Sequence, residues 1–304
     1  MLPELLETQP RILSEFAIAE RLRRRQGITL HPTLFNTPLI YGPEEARAAM
    51  ADLYLEYLCT ASDASLPLLL TAPTWRLDAT RVAAAGVPAS INADAVSFLI
   101  DLRIENPSLA PVLIGALTGP QNDCYRPDLA PQAQDAEAFH SPQIDALSAT
   151  DANFLLAQTL PSTQEAVGIA RAMATTDKPY LISFCTGRDG KVLDGVPLPE
   201  AMDTLDQQLT RPPTGYFVNC THPQFIVDAY PSGSLGRLVG IQANASSKDV
   251  TQLDDSNATQ AEPVDEWAQS MLELHQKHEV KILGGCCGTS LTHMQAIVGL
   301  LQSS

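Results

Sequence analysis

Three of the six cysteines stand where metal chemistry could be done. Cys220 closes the apolar run TGYFVNC at 214–220, and Cys286 with Cys287 closes EVKILGG at 279–285. If both runs are strands, all three thiols sit at strand ends. Thiolates converging at about 2.3 Å suit zinc, a borderline-soft ion that favours sulfur. Four protein ligands mark a closed structural site, whereas three leave one position for a substrate. Three thiolates around a divalent zinc leave a net negative centre, a poor Lewis acid for splitting water and a good partner for another soft sulfur. A thiol bound to such a centre is deprotonated, where a free one with a pKa of about 8.5 is mostly neutral at pH 7. Gly284, Gly285 and Gly288 let two adjacent ligands turn tightly onto one ion. Two other readings of the motif stay open: a phosphate-binding nest, which leaves Cys220 unused, and a pair of thiols buried as small hydrophobes.

The elements that must position these groups follow from hydrophobic patterning. Strand-length apolar runs recur at 66–72, 110–119, 153–159, 178–187, 214–220, 236–244 and 279–285, with a short eighth at 11–13. Segments of helical spacing alternate with them at 43–61, 92–106, 162–176, 197–209, 263–278 and 290–302. Near-continuous apolar strands suit a parallel sheet buried on both faces, and regular alternation implies right-handed βα units. Eight such units predict an α/β fold, a (β/α)8 TIM barrel forming a single domain over residues 1–304. The loops after its strands build the catalytic face. Two long polar stretches, 119–143 and 246–263, read either as solvated excursions or as lids over that face.

Composition narrows the partners. With 19 Lys+Arg against 35 Asp+Glu the formal charge is −16, which opposes phosphate backbones and anionic membranes, so neither nucleic acid nor membrane is expected. No stretch approaches the roughly 20 apolar residues that span a bilayer, and the first residues lack the pattern of a signal peptide. The expectation is a cytoplasmic protein with reduced thiols that acts on small molecules; its oligomeric state is not legible.

The segments YFVNCT and ILGGCCGTSLTHMQAI resemble the zinc-binding signatures of the homocysteine S-methyltransferase family, (β/α)8 barrels that methylate homocysteine to methionine. LAQTLPSTQEAVGIARA at 156–172 and LISFCTGRDGKVLDGVPLPEA at 181–201 extend the likeness. The resemblance implies Zn2+ held by Cys220, Cys286 and Cys287, with Asn219 part of the site, and methyl transfer from an onium donor to a metal-bound thiol such as homocysteine. S-methylmethionine, S-adenosylmethionine and betaine-like compounds all have the charge that a negative centre favours. Two departures concern the acceptor's amino group. The family's Asp-Gly-Gly after the first strand is here Ser14, Glu15 and Phe16, and its Glu-Thr pair at the fourth is Gln158 with Thr159. Both acids are missing from their usual places, Glu15 is displaced by one residue, and Phe16 is expected to narrow the pocket. These departures keep two alternatives in view: a thiol or selenol acceptor without that amino group, or a non-catalytic zinc- or thiol-binding barrel.

Other residues carry weaker signals. Trp75, near where some family members place a tyrosine, reads as a platform for a cationic methyl group or as an aromatic packed at the barrel mouth. Cys185 reads as a buried thiol at a strand end, Cys59 as helix core and Cys124 as an incidental surface thiol. His275 and His278 share a helix face in the outer ring, and Arg21, Arg23, Arg24 and Arg25 read as a solvated helix face.

Overall fold

The computed structural model describes residues 1–232, 235–248 and 261–303. Eight parallel strands, numbered in chain order, close into a barrel in which each pairs with its sequence neighbour and β8 returns to β1. They are β1 Ile12–Ser14, β2 Leu68–Ala72, β3 Val112–Thr118, β4 Phe154–Leu160, β5 Tyr180–Cys185, β6 Gly215–Asn219, β7 Leu238–Ala243 and β8 Ile282–Gly285. This is the (β/α)8 TIM barrel that the alternation implies, and every apolar run overlaps a strand.

Side-chain alternation divides each strand between two cores. Outward residues such as Leu13, Leu70, Ile114, Leu155, Ile182, Val218 and Leu283 pack beneath the helices. The outer layer comprises α3 Glu44–Asp63, α5 Ile91–Glu105, α6 Ala133–Ser148, α7 Thr163–Ala174, α8 Leu198–Gln208, α10 Val264–His278 and α11 Leu291–Ser303. Inward residues Ile12, Leu69, Leu113, Phe154, Leu156, Leu181, Phe217 and Ile282 fill the lower barrel. The short helix α1, Leu2–Thr8, closes that end by adding Leu2, Leu5 and Leu6 to the same cluster. Three more short helices, α2 Ala19–Arg23, α4 Ala79–Ala85 and α9 Pro223–Ala229, follow β1, β2 and β6 respectively.

Two expectations are revised. The stretch 119–143 is a loop only in its first part, because α6 begins at Ala133 and continues through Pro142. Its Ala- and Gln-rich spacing was obscured by prolines on either side of that start. Cys59 lies on the exposed side of α3 rather than in its core. Most of the second polar stretch, 249–260, lies outside the described residues. Among the described residues no helix is long and apolar enough to cross a membrane.

Candidate active site

The C-terminal ends of the strands surround a cavity of about 480 Å³. Strand β7 acts as the spacer for its thiols. The Cys220 N–H donates to the Gln242 carbonyl (3.2 Å), the Cys286 N–H to the Ala243 carbonyl (2.7 Å), and the Ala245 N–H to the Cys287 carbonyl (3.0 Å). Both cysteine-bearing turns are thereby tied to one intervening strand. The turn after β8 depends on close approach: a Cβ on Gly285 would stand 2.3 Å from Thr289 Oγ1 and 2.4 Å from Phe16 Cδ1, and Gly288 adopts a φ of +80°. The Gly288 N–H donates to Glu20 Oε2, which fixes that turn to α2.

Cys220 Sγ lies 3.1 Å from Cys286 Sγ, and Cys286 Sγ lies 4.0 Å from Cys287 Sγ. Hydrogen bonds from Cys286 and Cys287 hold the Cys220 thiol well below the ordinary thiol range. Sharing with Cys220 pushes Cys286 up, and pushes Cys287 up to about 12. The three thiols thus differ in acidity, with Cys220 the most acidic. Among the described residues no three His, Cys, Asp or Glu side chains are already spaced for a metal ion. The chemistry of the donors nevertheless suits zinc. Tetrahedral Zn–S bonds of about 2.3 Å set sulfurs roughly 3.8 Å apart, so the Cys286–Cys287 spacing is close and Cys220 and Cys286 must separate by roughly 0.7 Å.

Asn219 holds the site's strained backbone. Cys220 and Thr159 have φ values of +54° and +64°, in the left-handed region that a β-branched residue such as Thr159 rarely enters. One buried amide braces both. Asn219 Nδ2 donates to Cys220 Sγ (3.2 Å) and Thr159 Oγ1 (2.8 Å), and its Oδ1 accepts from the Thr159 N–H (2.9 Å) and Ser183 Oγ (2.6 Å). Thr159 lies where β4 breaks register against β5, so Asn219 links the bulge that carries Gln158 to the strand end that carries Cys220.

The polar floor departs from the expectation based on strand positions alone. Ser14 points into the barrel against Gly284, buried and with no hydrogen-bond partner for its hydroxyl, and does not line the cavity. Glu15 does line it. Its Oε2 accepts from the Thr71 N–H (3.0 Å), and its Oε1 accepts from Thr71 Oγ1 and from Gln242 Nε2 (3.2 Å). Burial nevertheless pushes its carboxyl up to about 7. Gln158 Nε2 in turn donates to Gln242 Oε1. Phe16 lines the cavity as well, 1% exposed, with its ring packed against Tyr57 and Trp267.

Trp75 lines the cavity, but its ring is already engaged. Its Nε1 donates to the Gln158 carbonyl (3.1 Å), Phe35 packs beside it, and the Arg76 guanidinium lies 4.5 Å from the ring centroid. A cation of the chain itself thus uses an indole face that the platform reading assigns to substrate. Arg23 and Arg24 are exposed, as a solvated helix face implies, and also line the mouth, with Arg24 paired to Glu20. His275 and His278 lie at the far end of α10, before β8, away from the mouth.

Many cavity residues escape the sequence reading, and four of them bear on its chemistry. Cys124 is buried in the cavity wall rather than an incidental surface thiol. Beside it Tyr125 packs against the cluster of Cys185 and Cys220, and the charge of Cys220, followed by burial, holds its phenol well above the usual range. Gln242 and Glu20 are the others. Position at a strand end was the available signal for Gln242, and the long loop after β3 for Cys124 and Tyr125.

Comparison with known proteins agrees with this fold. Homocysteine S-methyltransferase YbgG of Bacillus subtilis is 22% identical over 312 residues, covering 98% of this chain and 97% of that protein. The metallated form of the homocysteine methyltransferase MmuM from Escherichia coli superposes with a TM-score of 0.74 at 19% identity, over 98% of this chain and 99% of that one. Its oxidized form gives 0.75 at 20% identity, over 100% and 99%. The sequence profile of the homocysteine S-methyltransferase family matches residues 11–301, and the chain belongs to that family.

Proposed function

We propose that the protein is a zinc-dependent thiol S-methyltransferase, one barrel domain over residues 1–304 that acts in the cytoplasm. Cys220, Cys286 and Cys287 would hold the metal, and the acceptor would be a thiol of the homocysteine class, giving a methionine-type thioether. The observation that carries this reading is the meeting of three thiols from the ends of β6 and β8 in the cavity at the C-terminal ends of the strands, in a barrel of this family. Zinc held there supplies a soft cation that keeps a thiol deprotonated near neutral pH.

The rest of the work falls to the chain. Asn219 fixes the direction of Cys220 Sγ through the strained turn, and β7 sets the separation of the two cysteine-bearing ends. Glu15, Gln242 and Gln158 form the polar wall that the non-sulfur end of the acceptor would meet. The donor would enter from the Trp75 side as an onium compound, drawn by a negative sulfur centre. Transfer forms one S–C bond and breaks one C–onium bond in line, and the cavity contributes mainly by holding the two reactants in that geometry.

The test is metal analysis together with steady-state methyl transfer from S-methylmethionine, S-adenosylmethionine or betaine to homocysteine, other thiols and a selenol. The expected result is one zinc per chain and turnover with a cationic donor. Zinc binding with no turnover on any pair would replace this reading by the non-catalytic barrel. Turnover only with acceptors lacking an amino group would replace homocysteine as the acceptor class.

A further inference from the structure

The direction of the hydrogen bonds along the cavity floor is set by one carboxylate that is not itself at the usual acidic positions. Glu15 receives three hydrogen bonds, two from Thr71 and one from Gln242 Nε2. An ionised carboxylate can only accept, so Gln242 must turn its amide nitrogen toward Glu15 and its oxygen away. That oxygen accepts from Gln158 Nε2. Gln158 is then left with its side-chain oxygen Oε1 uncommitted in this chain of bonds, on a residue that lines the cavity.

We propose that Glu15 and Gln242 are positioning residues that orient the Gln158 amide, carbonyl toward the cavity, so that the site selects a thiol acceptor carrying an N–H donor, an amine or ammonium. This deepens the proposed function and rests on it for the acceptor, while the relay itself stands on the hydrogen bonds of the chain. A carboxylate at position 158 would attract an ammonium by charge. The relay supplies an oriented dipole instead, with the full charge kept one residue behind it.

The relay can be reversed. A protonated Glu15 can donate to Gln242 Oε1, Gln242 Nε2 then donates to Gln158 Oε1, and Gln158 presents its NH2 to the cavity. Because burial places the Glu15 carboxyl at about 7, this reversal falls within an accessible pH range. The titratable groups facing Glu15 from α3 are Tyr54, held well above the phenol range by burial, and Tyr57, pushed up to about 12 by burial. Both keep their protons throughout. The thiols of Cys220, Cys286 and Cys287 lie across the same cavity, and comparing two thiols at each pH cancels their contribution.

The experiment has two arms. In the first, binding of homocysteine and of its deamino analogue 4-mercaptobutanoate to the zinc-loaded protein is measured from pH 6 to 8.5. The expected preference for homocysteine at pH 8 falls about tenfold in Glu15→Gln and in Gln242→Leu, the size expected when one hydrogen bond is inverted, while 4-mercaptobutanoate binding stays within about twofold. The wild-type preference declines below about pH 7, and that of Glu15→Gln does not change with pH. An equal preference in the wild type and both variants would overturn the proposal. In the second arm, needing no substrate, the side-chain amide resonances of Gln158 and Gln242 are followed by NMR in the metal-free protein, assigned by Gln158→Ala and Gln242→Leu. Both should shift together with one midpoint near pH 7 that Glu15→Gln removes. Independent or pH-invariant amides would refute the relay even if methyl transfer is shown. Coupled amides in a protein that binds neither thiol would leave the relay standing and the acceptor reading refuted.

Discussion

The two ends of the barrel interior obey opposite rules. At the lower end, inward positions are apolar and are plugged by the leucines of α1. At the upper end the same strands turn to Thr71, Gln158, Ser183, Asn219 and Gln242, nearly all committed to hydrogen bonds, and then to the cysteines. Only a few residues along a strand separate Phe154 from Gln158. Stability is concentrated where nothing happens chemically, and strained backbone, buried charge and unshared protons are concentrated where burial contributes least. Removing a group from the upper end should therefore alter chemistry at little cost in folding, and the lower end should behave in reverse.

The sharpest way to break that contrast is at the thiols. The Cys286→Ala, Cys287→Ala double variant is expected to lose zinc and to lower methyl transfer at least a hundredfold, with its denaturation midpoint close to that of the metal-free parent. Metal content per folded chain checks it, and full zinc occupancy in the double variant would remove these cysteines from the ligand set. Phe154→Ala provides the reciprocal case. It empties a fully buried ring site in the lower barrel, where the ring packs against Gly115, and is expected to cost about 3–5 kcal/mol. Zinc bound per folded molecule should not change. A variant that kept its stability but lost metal would mean that the two ends are energetically joined.

Glu15 sharpens the comparison with a sign that depends on pH. Its carboxyl is raised on folding from 4.5 to about 7, so its contribution to stability is complete below the lower value and is lost as pH rises through the upper one. At pH 8 the buried charge costs on the order of 3 kcal/mol. Glu15→Gln should therefore be more stable than the parent at pH 8, with the gain gone by pH 4.5, as read by chemical denaturation at both pH values. A gain of equal size at both would show that packing, not charge, sets the difference. A polar upper end that is stabilised by losing its charge is what a site kept for function rather than folding predicts.

Much of this division was legible in the sequence, for reasons that differ by residue. Apolar runs locate all eight strands because burial on both faces leaves little room for polar exceptions. The Asn219–Cys220 pair and the Gly-Gly-Cys-Cys turn stood out because sulfur and glycine at strand ends have few structural explanations. Helix α1 escaped because seven residues give too little periodicity to read. Ser14 and Glu15 could be named but not separated: in the pleat of β1 Ser14 faces Gly284 below the mouth, and Glu15, just past the strand, curls in toward Thr71. Gln242 was invisible for a different reason. A glutamine at a strand end carries no chemical signature until its two partners, Glu15 and Gln158, are known to stand on either side of it.

The smallest expected effect tests whether strain at the upper end is held locally. Asn219→Ala removes four hydrogen bonds from a fully buried amide, leaves Ser183 Oγ and the Thr159 N–H without partners, and releases two residues from positive φ. Unsatisfied buried donors cost about 1–3 kcal/mol each, and relief of the strained backbone at Thr159 and Cys220 returns about 1–3 kcal/mol per residue. The two contributions oppose each other, so the net loss of stability should be no more than about 2 kcal/mol. The functional effect has no such compensation, because Cys220 Sγ loses the donor that aims it. Zinc affinity is expected to fall about ten- to a hundredfold, the usual consequence of removing a partner that orients a metal ligand, with a parallel fall in kcat. Asn219→Asp keeps the shape and the acceptor toward Ser183 and the Thr159 N–H but places charge beside Cys220. The restored acceptors are offset by the cost of a buried charge, so stability should recover only when that carboxyl is protonated, and zinc affinity should not recover. If Asn219→Ala instead lowered stability by 4 kcal/mol or more while zinc affinity held, the amide would belong to the folding end of the barrel, and the boundary between the two ends would have to be drawn above β6.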